Sequence, residues 1–269
     1  MRFGSVSTQT GGRAGPTTVF AARAAIRSLR RPWELVFNAM IMTLKPSPSI
    51  AQTRIDLLAR IERAKSAYDN QTDPVFVAVS KKQPDARIDA ALAAGQRVFG
   101  ENRVQEAQSR WSDRREDYQD LELRLIGPLQ TNKAEDAVAL FDIIETLDRP
   151  KLARALAKAM KKLGKLVPVL IQVNTGEEPQ KSGILPAQLP ELLAVAQELG
   201  LTVLGLMCIP PSDEPAGPHF ALLAGLAEAH GLSHLSMGMS GDFETGVRYG
   251  ATHVRIGSAF FGSRIDVPD

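Results

Sequence analysis

Lys81 stands directly after a β-branched apolar run, Val75-Phe76-Val77-Ala78-Val79, and opens the polar segment Lys81-Lys82-Gln83-Pro84 behind Ser80. An amine delivered by the tip of a buried strand is disfavoured as an ammonium ion, so its pKa falls and it becomes nucleophilic toward aldehydes. The chemistry indicated is imine formation. On this strand alone, a solvated lysine opening a βα loop is the competing reading.

Two further groups bear on that choice. Ser236, Gly238 and Ser240 lie in Ser236-Met237-Gly238-Met239-Ser240-Gly241-Asp242, just before a helix-like segment, and Gly257-Ser258 closes a later apolar run. Hydroxyls and unobstructed amides at a helix start are the donors a phosphate group needs. Arg255 lies inside the apolar run Val254-Arg255-Ile256. A charge there must be paired internally, with Asp148 or Glu101 as candidates, or must face a ligand. A Schiff-base lysine, a phosphate loop and a cation for a heteroaromatic nitrogen together describe a pyridoxal 5′-phosphate site.

These residues need a scaffold that brings strand ends together. Strand-like runs occur at 75–80, 97–100, 121–127, 142–147, 167–174, 201–209, 234–238 and 253–257. Helix-like segments at 86–94, 104–115, 133–140, 151–163, 189–199, 220–229 and 244–249 separate them. Alternating strands and helices imply a parallel sheet, and eight strands imply closure. The fold expected is α/β: a single (β/α)8 TIM-type barrel over 51–269, with an extra N-terminal helix and no C-terminal β domain. That helix is expected from about Thr53, with Ile55, Leu58 and Ile61 on its apolar face. Gly95, Gly164, Gly200 and Gly250 follow helix-like segments as stop signals. In such a barrel, the residues after each strand converge on one mouth.

Residues 1–50 hold six Arg, one Lys and one acid, Glu34, so the net charge of +2 becomes −4 for the remainder. Two readings stand for this stretch: a disordered, transit-peptide-like extension, or sequence upstream of a true start at Met40 or Met42. The acidic remainder argues against nucleic acid as a partner. No apolar run has the length of a membrane span. The lone cysteine, Cys208, fits a reducing, cytoplasmic setting, and its scatter with four His offers no metal-ligand spacing.

The segments Val79-Ser80-Lys81, Phe99-Gly100-Glu101-Asn102, Ile126-Gly127-Pro128-Leu129-Gln130-Thr131-Asn132-Lys133, Leu235-Ser236-Met237-Gly238-Met239-Ser240 and Arg255-Ile256-Gly257 resemble the pyridoxal phosphate homeostasis proteins. These are similar in turn to the N-terminal barrel of alanine racemase. The resemblance runs over about 53–264. It implies that Lys81 carries the cofactor, that Ser236, Ser240, Gly257 and Ser258 surround its phosphate, that Arg255 faces the pyridine nitrogen, and that Asn102 lies near it. It implies a monomer that maintains intracellular pyridoxal phosphate against other B6 vitamers, in exchange with apoenzymes, without robust turnover. The alternatives are a racemase or lyase acting on a small amino acid, and a cofactor-free Schiff-base barrel. No tyrosine or histidine falls at a strand end to serve as the second base of a racemase. Three departures from the pattern stand out: Gln83 replaces a second lysine, with Lys82 beside it; Leu123-Arg124 replaces an aromatic-His pair; and Ser258 replaces a threonine.

Overall fold

Helix α1 (Ile50–Ala67) leads into β1 (Val75–Val79) and α2 (Asp85–Ala93). Next come β2 (Val98–Glu101), α3 (Val104–Asp117), β3 (Glu122–Leu125), α4 (Ala134–Leu140), β4 (Ile143–Leu147) and α5 (Pro150–Leu163). The chain continues through β5 (Val169–Val173), α6 (Leu189–Glu198), β6 (Val203–Cys208), α7 (Ala216–Ala229), β7 (His234–Met239), α8 (Phe243–Arg248), β8 (His253–Ile256) and α9 (Ser258–Phe261). This computed structural model describes residues 49–68 and 71–262. The expectation for residues 1–50 lies outside the described residues, except that Ser49 caps α1 and Ile50 is already helical.

The eight strands close in sequence order, every neighbour parallel, with β1 pairing both β2 and β8. Successive strand side chains point to opposite sides. One set, including Phe76, Ala78, Phe99, Leu123, Leu125, Ile144, Ile171, Leu206, Val254 and Ile256, packs beneath the helices in the main apolar core. The alternate set, turned into the barrel, includes Val77, Arg124, Glu145, Leu170, Met207, Ser236 and Arg255, all buried. The interior is therefore partly polar, which the apolar look of the strands did not suggest. Glycines end helices as expected; Gly164 stops α5 at φ 61°, ψ 24°, a left-handed backbone that a Cβ disfavours.

Two expectations are corrected. The apolar face of α1 is Leu57, Ile61 and Ala64, while Ile55 and Leu58 are 58% and 36% exposed. The helix starts at Ile50, where the Ser49 hydroxyl accepts from the Gln52 amide, and it packs against α2, α8 and α9, which sets the buried face. The turn of helix α9 directly after β8 was not anticipated. A four-residue helix has no room for a hydrophobic period, so its pattern carries no signal.

Candidate functional site

A cavity of about 270 Å³ opens at the C-terminal mouth of the barrel. Ligand pockets span roughly 300–1,000 Å³, and this one lies just below that range, a size for a small molecule only. Lys81, Asn102, Ser240, Arg255, Gly257 and Ser258 all line it. Six of the seven expected site residues, drawn from four strand ends, thus share one space.

The strand end that bears Lys81 is pinned from below. The Ser80 hydroxyl donates to Glu101 Oε1 at 2.7 Å, and its amide donates to the Gly100 carbonyl at 3.1 Å. Glu101, wholly buried, also accepts from Trp111 Nε1 at 3.0 Å and from Arg110 Nη1 at 3.1 Å. Burial pushes its carboxyl above the ordinary range, while the hydrogen bonds from Ser80 and Trp111 and the Arg110 charge pull the other way. This cluster fixes where the half-buried Lys81 leaves the strand. Lys82 has φ 57° and turns outward, its amide held by Glu106 Oε1 at 2.8 Å. Gln83, buried, faces the cavity and accepts from Arg87 at 3.1 Å. The position of the missing second lysine thus lines the cavity with a neutral amide, and Lys82 lines an adjoining pocket with Lys81 instead.

On the adjoining wall, where β8 pairs with β1, the amides of Gly257 and Ala259 both donate to Ser240 Oγ, each at 3.2 Å. Two backbone donors at the start of α9 therefore converge on a single oxygen position. Ser236 does not join them. It lies four residues below Ser240 on β7, its side chain is wholly buried, and a register shift separates it from the rim. Its hydroxyl donates to Glu145 Oε2 at 2.5 Å and accepts from Arg255 Nη1 at 2.7 Å. The expectation that Ser236 touches phosphate is thus corrected: it ties the arginine to a buried acid.

Arg255 is 3% exposed yet lines the cavity. Its second amino group donates to the Cys208 carbonyl at 2.7 Å. Neither Asp148 nor Glu101 pairs with it: Asp148 pairs with Arg149, and Glu101 points outward to α3. The carboxylate behind Arg255 is Glu145, reached through Ser236 and held on its other side by Arg124 Nε at 3.0 Å. Arg124 and Glu145 both have fully buried side chains. Sequence reasoning missed this pair. Part of the signal was there, because Glu145 is the lone charge in its apolar strand, the same property that drew attention to Arg255, whereas Arg124 shares its strand with Glu122.

Asn102 borders the cavity and three neighbouring pockets. Its backbone passes so close to Gly127 that a Cβ there would meet Asn102 O at 2.3 Å, so glycine is obligatory at 127. Cys208 is fully buried, and burial pushes its thiol up to about 12, which leaves it protonated and unreactive. His234 and His253 stack at 5.3 Å on the floor of the barrel, away from the mouth. Burial, then the charge of Arg124, pushes His253 down to about 2.

Eight parallel strands with an amine, an arginine and a Ser/Gly turn at one mouth define a barrel of the alanine racemase N-terminal class, and residues 55–265 match the family model described as "Alanine racemase, N-terminal domain". The chain is similar to the "Pyridoxal phosphate homeostasis protein" of Vibrio alginolyticus, 43% identical over 200 residues, covering 70% of this chain and 86% of that one. It is 39% identical over 219 residues to the protein of the same name from Aquifex aeolicus, covering 77% and 95%. Among solved structures, PipY of Synechococcus elongatus PCC7942 with PLP bound is 37% identical, with a TM-score of 0.62, covering 75% of this chain and 100% of that one. The chain belongs to the pyridoxal phosphate homeostasis protein family. No helix among its described residues is long and apolar enough to cross a membrane.

Proposed function

We propose that this protein binds pyridoxal 5′-phosphate at the barrel mouth, with Lys81 as the covalent anchor, and serves intracellular vitamin B6 homeostasis. The observation that carries the reading is the single cavity shared by Lys81, Arg255 and the convergent amides behind Ser240. These residues fit the cofactor. An amine would meet its aldehyde, a point that already accepts two N–H donors suits a phosphate oxygen, and a buried cation would face the ring. When bound, the cofactor supplies an aldehyde that condenses with amines and a ring that absorbs visible light.

Ser240, Gly257 and Ser258 would hold the phosphate, with Asn102 alongside. The guanidinium of Arg255, held by Ser236 and the Cys208 carbonyl, would oppose protonation of the ring nitrogen. That makes the ring a poor electron sink and favours holding the cofactor over transforming amino acids with it. The reading includes a cytoplasmic monomer that trades the cofactor with other B6 vitamers and with apoenzymes. The half-open mouth and the solved relative with PLP bound support it.

Borohydride reduction of the cofactor-loaded protein, followed by peptide mapping, tests the anchor. The label should sit on Lys81 and vanish in Lys81→Ala. A label that persists on another lysine of that variant would refute the assignment.

A further inference from the structure

We propose a second binding site on the barrel mouth, on the far side of Asn102 from the cofactor cavity, that takes a small phosphate monoester. The pocket there has a volume of about 700 Å³, well above the first cavity, and it shares only Asn102 with it. Ligand pockets of roughly 300–1,000 Å³ hold whole metabolites rather than single ions.

Its wall is built from donors. Helix α3 starts at Val104 with Arg103 as its N-cap, no side chain caps it, and its first bond is Ala107 N–H to Arg103 O at 3.1 Å. The preceding amides therefore lack helical acceptors, and Val104 and Gln105 line the pocket. Arg103 is exposed and joins no ion pair among the described residues. Arg149 stands across from it, its guanidinium fixed by the Leu129 carbonyl at 2.8 Å and by Asp148. Lys133 adds an ammonium, 3.2 Å from Asp136.

The charge balance favours an anion. Three cations line the pocket; Asp148 pairs with Arg149 and Asp136 with Lys133, which leaves Arg103 as the cation in excess. Burial pushes the Asp148 carboxyl above its ordinary range, against the pull of Arg149. This concentration lies on a chain whose residues beyond 50 sum to −4, so it is not a reflection of overall composition. Two guanidiniums, an ammonium and a helix start are the donor set that phosphate recognition uses. The shared Asn102 makes the two sites neighbours, so a ligand in the second can alter release from the first.

The test is calorimetric titration of inorganic phosphate into the full chain after borohydride fixation of pyridoxal phosphate, which keeps the first cavity filled. Saturable binding is expected, weakened about tenfold or more by Arg103→Ala and by Lys133→Ala, the loss of one charge-assisted contact. Arg103 is exposed and Lys133 half-buried, so thermal melts of both variants accompany the titration, and each is expected to melt as the parent does. Sodium acetate at matched ionic strength should give no comparable binding. No saturable heat, equal binding by acetate, or full binding by both variants would overturn the proposal. If no adduct forms at Lys81, the cofactor reading fails instead, and the Arg103 and Lys133 variants still decide the second site.

Discussion

Ser236→Ala separates the two roles that the serines of β7 can play. The hydroxyl bridges Glu145 Oε2 at 2.5 Å and Arg255 Nη1 at 2.7 Å, and all three side chains are buried. Removing it leaves a buried carboxylate oxygen and a guanidinium N–H without their shared partner. A hydrogen bond to a charged group contributes roughly 1.5–3 kcal/mol, so losing two costs about 3–6 kcal/mol. For a domain of this size that lowers the melting temperature by roughly 6–24 °C. Ser240→Ala, by contrast, removes the acceptor of two neutral amides at a half-buried rim position, and should cost about 1 kcal/mol while weakening cofactor retention. Thermal melts of both variants, with and without pyridoxal phosphate, check this. If Ser236→Ala melts within about 2 °C of the parent, the hydroxyl is not holding the charges and the account of how Arg255 is positioned is wrong.

The Cys208 thiol, ordinarily near 9, is pushed up to about 12 in the fold. Between those values the unfolded chain has lost a proton that the folded chain retains, so stability is full below pH 9 and falls as pH rises, by at most about 1.4 kcal/mol per unit. Urea midpoints from pH 8 to 10.5 should show the decline, and Cys208→Ala should flatten it. His253 works from the other side: ordinarily at 6.5 and pushed down to about 2, it favours the unfolded chain's proton uptake. Stability is therefore full above about pH 6.5 and is lost as pH falls, again by at most about 1.4 kcal/mol per unit; His253→Gln should give a shallower slope between pH 7 and 5. Gly127→Ala forces a methyl group into the backbone of Asn102. It should lower both the melting temperature and cofactor affinity, measured by absorbance titration, and an unchanged affinity would show that Asn102 does not need its present position.

The barrel was legible because its signals are local and repeated. Each strand is a short, largely apolar run, most helices stop at or beside a glycine, and the observed bounds differ from those read in the sequence by only a few residues. Lys81, Ser240 and Arg255 could be placed at one mouth because strand ends converge there whatever the side chains do. The role of Ser236 was not legible, because it depends on which face of β7 turns inward and on the shift in pairing before Met239. The partner of Arg255 was misjudged for the same reason: Glu101 points out toward Trp111, while Glu145, on the other side of the barrel, points in. The face of α1 was misread because Ile55 and Leu58 obey helical spacing as well as Leu57 and Ile61 do, and only the packing of α8 and α9 decides between them.

Arg124 and Glu145 sit beneath the mouth with no exposure to solvent. Changing either alone strands a charge there, at a cost of about 3–5 kcal/mol. The pair is not isolated: Glu145 also accepts from Ser236, which holds Arg255, and Arg124 lies 3.4 Å from Glu122. Exchanging only these two for neutral side chains would leave Arg255 without its buried acid, so drift at the base of this barrel must carry Arg124, Glu145, Ser236 and Arg255 together.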